Sequence, residues 1–139
     1  DKKLGKELNT TTPNNSSLNE EGKEMICRLN ALRRENGKRD VLLDHRIMLA
    51  AQKHAEAMKQ HQTLSHEGFT PETKGFMDRI HLEGYKGGAG GENICQGSGN
   101  IVDVLNCWKN SPNHFKIMMT DYQCFGYGRD HEFWVQDFA

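Results

Sequence analysis

Two short stretches combine reactive side chains with backbone able to aim them. In Gly90-Gly91-Glu92-Asn93 a carboxylate follows directly on two glycines. Glycine frees the chain from the usual dihedral limits, so a loop that ends abruptly in Glu-Asn before an apolar run aims Glu92 at a fixed point. The competing reading is an ordinary turn with Glu92 in solvent. In Asn110-Ser111-Pro112-Asn113-His114, Ser111 and Pro112 read as a helix cap and the first helical residue. His114 then lies in the first turn, where the helix dipole disfavours imidazolium and keeps the ring neutral near pH 7. A neutral imidazole can ligate a metal or act as a base. Ser111, His114 and Glu92 also supply the hydroxyl, base and carboxylate of a nucleophilic hydrolase. Against that chemistry, capping gives Ser111 a complete structural role and no oxyanion hole is identifiable.

The remaining histidines read differently. His54 sits mid-helix on an apolar face, the place of a structural histidine, and His45, His61, His81 and His131 fall at helix ends, loops or turns. Familiar catalytic motifs are missing. Gly97-Ser98-Gly99 lacks the third glycine of a dinucleotide loop, there is no Gly-x-Ser-x-Gly elbow or phosphate loop, and His66-Glu67 is not followed by the second histidine of a zinc-protease helix.

The elements that must position these residues can be read from periodicity and punctuation. Ser17-Leu18-Asn19-Glu20 reads as a capping box, followed by Met25, Ile26, Leu29 and Leu32 at helical spacing and a stop at Asn36-Gly37. The basic residues Arg33, Arg34, Lys38 and Arg39 suit the dipole at that carboxyl end. A second helix starts with Asp44 as N-cap and runs to about Gln60, carrying Ile47, Ala51, His54 and Met58 on one face. A loop follows at 70–74, then a short helix from Phe76 to Leu82, a glycine-rich loop at 84–91 and a short strand at 93–96. Further helices carry Ile101 to Trp108 and start anew at Ser111-Pro112. The end reads as a hairpin, Cys124 to Gly128 and Phe133 to Phe138, around a turn at 129–132. Helices first and short strands late predict an α+β fold with one core.

The whole chain of 139 residues has room for one domain, preceded by a flexible, polar tether at 1–17. Eighteen basic against 19 acidic residues remove the electrostatic footprint of a nucleic-acid binder, and no apolar run is long enough for a transmembrane helix. The start at Asp1 is consistent with removal of an upstream signal or lipid-attachment segment. Cys27, Cys95, Cys107 and Cys124 allow two disulfides in three connectivities, and their spacing does not suit a four-thiolate zinc site. An even count after a tether-like start points to an exported protein.

Taken in order, several of these pieces resemble the CAP superfamily of cysteine-rich secretory proteins, antigen 5 and pathogenesis-related proteins, in its bacterial-type branch. The residues are Leu29-Asn30 through Arg33 and Gly37, Ala51-Gln52-Lys53-His54-Ala55 with Met58, Leu64-Ser65-His66, and Gly91-Glu92-Asn93-Ile94. Trp108 through His114, Gly126-Tyr127-Gly128 and Phe133 through Phe138 complete the series. The resemblance runs in order from about Glu24 to Phe138 and assigns residues 18–139 to a CAP domain. It implies a three-layer α-β-α sandwich with a small, mostly antiparallel sheet and a cleft holding two histidines and two glutamates. By position His66 and His114 match the histidines and Glu92 one glutamate, while Ser111 stands where the second is expected.

His66, Glu92, Ser111 and His114 are therefore the expected cleft residues, and His66, His114 and Glu92 the expected ligands of a divalent metal, with zinc the implied cofactor. The resemblance further implies an extracellular or cell-surface binding module acting on an unidentified protein or a small lipid-like ligand, in host or environment interaction. Sterol binding is not carried over, because Tyr85 is the only aromatic between Leu82 and Gly91.

Overall fold

The computed structural model describes residues 19–139. The tether and the cap expected at Ser17 lie outside the described residues. The helices are α1 (Glu20–Glu35), α2 (His45–His61), α3 (Phe76–Leu82), α4 (Ile101–Lys109) and α5 (Pro112–Met119). The strands are β1 (Leu42–Leu43), β2 (Gly91–Gln96), β3 (Cys124–Asp130) and β4 (Phe133–Phe138). Asn19 caps α1 by accepting from the Gly22 amide at 2.9 Å, and Glu20 pairs with Lys23 instead of reaching back to a cap. Asp44 caps α2 as its position predicts, accepting from the Arg46 and Ile47 amides.

The four strands form one sheet in the order β1-β3-β4-β2. Only the two-residue β1, which the periodicity does not reveal, runs parallel to its neighbour β3. Alternation along β4 divides the core. Phe133 and Val135 face α2 with Ala51, Ala55 and Met58, whereas Trp134 and Phe138 face the layer built by α1, α4 and α5. The architecture is the α-β-α sandwich.

Gly126 and Gly128 point at α2, and a Cβ on either would stand 2.4 Å from helix backbone, at Ile47 and Ala51 respectively. No side chain can occupy that space, so the spacing Gly-Tyr-Gly is what lets α2 lie directly on β3. The hairpin turn is tighter than its composition suggests. Strand β3 extends through Asp130, and only His131 (φ 55°) and Glu132 make the turn. Arg129 is drawn into the ladder because it pairs across from Trp134, stacks on that indole at 4.4 Å and binds Glu21 at 2.5 Å.

Arg33 departs most from its expected role. Its side chain is fully buried and does not serve its own helix end. It donates to the Met118 and Thr120 carbonyls at 2.5 and 2.9 Å, satisfying the carboxyl end of α5, and to the Arg39 carbonyl at 2.8 Å. This arginine of α1 thus fixes the helix that carries His114.

Candidate functional site

Strand β2 is one edge of the sheet, and the candidate site is built around its first residues. Glu92 turns toward the α2–α3 side and is 3% exposed. Its two oxygens are used by different partners: Oε1 accepts from His66 Nδ1 at 3.0 Å, and Oε2 accepts from Arg79 Nη2 at 2.7 Å. Arg79, on α3, is also buried. Its Nη1 donates to the carbonyls of His66, Thr73 and Lys74 at 3.1, 2.9 and 3.3 Å, so one guanidinium holds both Glu92 and the loop that carries His66. His66 itself is 59% exposed. The carboxylate can only accept, so Nδ1 carries the proton of that bond and Nε2 is the ring nitrogen left outside it.

Asp137 on β4 lies directly across from Glu92 in the strand register and is fully buried. Neither of its oxygens receives a hydrogen bond from an N–H or hydroxyl group. Two adjacent carboxylates cannot both ionise at low cost. Burial, then the Glu92 charge, push Asp137 well above the usual carboxylate range, so it holds a proton and shares it with Glu92. Burial alone would raise Glu92 as well. The hydrogen bonds from His66 and Asp137 and the Arg79 charge outweigh it and hold Glu92 down at about 2.

His114 approaches from the other side of the edge strand. Asn93, the next residue of β2, donates to the His114 carbonyl at 3.1 Å and so ties α5 to the strand. The ring is half-buried and its Nδ1 has no hydrogen-bond partner. Its pKa is lowered, by burial and then by the positive charge of His66. The neutral ring expected from the sequence thus has burial and His66 as its causes. Ser111 occupies the N-cap position, where its carbonyl accepts from the Phe115 amide at 2.8 Å, but its side chain makes no capping bond. The structural role expected for the hydroxyl is therefore absent. No hydrogen bond joins Ser111 to His114 or His114 to Glu92 among the described residues, so the hydrolytic triad is not assembled as a relay.

An open cleft of about 610 Å³ runs beside this cluster, lined by His66, Glu67, Lys74, Phe76, Asp78 and Glu92 among others. Behind it, His54 is buried and donates through Nε2 to the Ser65 carbonyl at 2.7 Å, anchoring the start of the His66 loop. Arg79 and Asp137 were not among the sequence candidates. The signal for Arg79 was its place at i+3 from Phe76 and beside Ile80 on the inward face of a short helix. Asp137 offered one too, as an acid inside an otherwise apolar strand.

Of the expected metal ligands, His66 and His114 are available imidazoles. Glu92 stands behind His66, in the position of a carboxylate that orients a ligating ring. No group of three or more His, Cys, Asp or Glu is gathered to hold a metal among the described residues. These two imidazoles are the residues that would hold a Zn²⁺ ion, with water or ligand atoms completing its shell.

Comparison with known proteins agrees with this architecture. The model of the Cysteine-rich secretory protein family, CAP, matches residues 27–138. The uncharacterized protein YkwD of Bacillus subtilis is 26% identical over 133 residues, 94% of this chain and 51% of that protein, so the chain spans about half of this curated relative. An extracellular protein with an SCP domain from Bacillus anthracis superposes with a TM-score of 0.78 at 24% identity, over 84% of this chain and 39% of that one. An outer surface protein from Borrelia burgdorferi gives 0.74 at 23% identity, over 86% and 91% of the two chains. A cysteine-rich secretory protein from Staphylococcus aureus gives 0.68 at 13% identity, over 87% and 39%. At these identities the superpositions speak to the fold, and the family match covers most of the chain: it belongs to the CAP family of cysteine-rich secretory proteins.

Proposed function

We propose that this CAP domain is an exported or surface-displayed binding module, without turnover of its own, whose cleft takes a segment of a partner protein. One observation carries the reading. Glu92 has both oxygens committed inside the fold, so the group it presents to the cleft is the outward-facing imidazole of His66, held rigidly from behind. A carboxylate spent in this way does not serve as a general base. The cleft walls mix Lys74 and Asp78 with Phe76, which suits a polypeptide with charged and apolar side chains better than a purely lipid-like ligand. The extracellular and outer-surface descriptions of the similar structures support an exported location.

The test is selection of a random phage-displayed peptide library on the domain and on His66→Ala. Peptides enriched on the former and lost on the latter are the expected result. Equal enrichment on both, or none, removes the cleft from the function. Fluorophosphonate labelling of Ser111 would instead favour the hydrolase.

A second reading has its own observation: Nε2 of His66 takes no part in the bond to Glu92, and Nδ1 of His114 has no hydrogen-bond partner. Here the two imidazoles hold Zn²⁺, with Glu92 orienting His66, and the bound ion supplies a Lewis-acidic contact for ligand oxygen or nitrogen atoms. Calorimetric titration with Zn²⁺ alone tests it: one ion bound, and none by His66→Ala/His114→Ala, is expected. Equal binding by the double variant refutes it.

A further inference from the structure

The four cysteines are not equivalent in space. All are thiols in this structure, yet Cys95 Sγ on β2 and Cys107 Sγ on α4 lie 3.5 Å apart. Cys95 is 7% exposed, with Ser98 Oγ at 3.6 Å as its other side-chain hydrogen-bond partner, whereas Cys107 is exposed. The backbones on which they sit are already held together. The residues flanking the pair, Ile94 and Trp108, are joined by a hydrogen bond from the indole Nε1 to the Ile94 carbonyl at 3.0 Å. Between the cysteines the chain reverses through Gly97 (φ +114°), which brings the sulfurs to near contact without strain at a side-chain-bearing residue. A disulfide needs a sulfur separation of about 2 Å, which side-chain rotation at the exposed Cys107 can supply. Cys27 is exposed on α1, and Cys124 begins β3 beside Tyr85, paired with Leu42 of β1, whereas Cys95 pairs with Trp134 of β4.

We propose that Cys95 and Cys107 form a disulfide that staples β2 to α4, and that Cys27 and Cys124 stay outside it. This assigns one pair where composition leaves three connectivities open, and it stands independently of the proposed function. The oxidant is an external disulfide, of a small thiol or of a dithiol oxidase. The Cys107 thiolate attacks one sulfur of that disulfide, forming a mixed disulfide and expelling the first external thiolate. The Cys95 thiolate then attacks Cys107 Sγ and expels the second. Two protein thiols are oxidised, one external disulfide is reduced to two thiols, and the two protons pass to the leaving groups. Burial and the neighbouring Cys95 push the Cys107 thiol up, so exchange accelerates as pH rises. The staple acts on the site through its two elements: β2 carries Glu92 and Asn93, and α4 leads directly into the helix of His114.

The experiment is oxidation of the purified chain with oxidised glutathione, followed by alkylation in denaturant and peptide mapping. Both cysteines fall in one tryptic peptide, Gly87 to Lys109, because no Lys or Arg stands between Lys86 and Lys109. That peptide should lose two hydrogens, and cleavage before Asp103 should leave its halves joined until reduction. Cys27 and Cys124 should both take the alkylating reagent. The variant Cys107→Ser, at an exposed position, should leave Cys95 alkylated and abolish the two-hydrogen loss. Alkylation of Cys95 and Cys107 in the oxidised chain, a bridge to Cys27 or Cys124, or mass loss persisting in Cys107→Ser overturns the assignment.

Discussion

Replacing Glu92 by Gln and Asp137 by Asn, singly and together, tests whether Arg79 is held by a carboxyl pair that carries one negative charge. In the native protein the charge is on Glu92 and the proton on Asp137. Glu92→Gln removes the like charge that adds to burial in keeping Asp137 protonated, and leaves the Arg79 charge that favours its ionisation. Asp137 should then ionise, accept from the new amide and replace the lost anion, at a cost of about 1–2 kcal/mol for the rearranged hydrogen bonds. Asp137→Asn supplies an amide donor where the acid proton was, and should change stability by less than about 1 kcal/mol. The double variant has no anion left. A buried guanidinium deprived of its partner costs about 3–5 kcal/mol. The sum of the single effects therefore falls short of the double effect by about 2 kcal/mol, well beyond the ~0.5 kcal/mol scatter of independent sites.

Urea unfolding of the four proteins at pH 7 measures this, and the double variant should melt roughly 8 °C below Glu92→Gln. A pH series adds a sign. In the native protein Asp137 is raised, so its contribution is present below 3.8, its ordinary value, and is lost as pH rises through its folded value. In Glu92→Gln the like charge is gone and burial is opposed by Arg79 alone, so the folded value falls and that loss sets in at lower pH. Additive single effects, or a double variant no less stable than Glu92→Gln, would show that Asp137 does not share the charge.

Three further outcomes follow from particular contacts. Ser111→Ala should alter stability by less than about 0.5 kcal/mol in thermal unfolding, since the hydroxyl makes no capping bond; a loss near 1 kcal/mol, usual for a working cap, would contradict that geometry. Gly128→Ala sets a Cβ 2.4 Å from α2 backbone and should cost about 3 kcal/mol in denaturant midpoint, and an unchanged midpoint would mean that α2 does not lie directly on β3. His54 and His114 both have depressed pKa values, chiefly from burial, so the stability linked to them is present above 6.5 and falls as pH drops through their folded values. NMR titration should place both midpoints below 6.5; a midpoint at or above it for either ring would refute its burial.

Much of the fold was legible because it depends on neighbours in sequence. The N-cap at Asp44, the Asn36-Gly37 stop, the Phe76–Leu82 helix and the alternation of β4 each follow from local backbone preference and the periodicity of burial. The two-residue β1 was not legible, because its pairing with Cys124 and Phe125 is supplied by chain far away. Nor was the turn length, which depends on Arg129 finding Glu21 at the far end of the sequence.

For the site, the sequence by itself determined that a carboxylate stands at the mouth of β2 and that an imidazole opens α5, since glycines and a Ser-Pro start act within a few residues. Only the tertiary structure decided what those groups can do. Arg79 and Asp137 reach Glu92 from different elements, and Arg33 reaches α5 from α1. The physical reason is desolvation. A buried charge or proton is stable only where partners converge from several elements, and that convergence is set by packing, not by spacing along the chain.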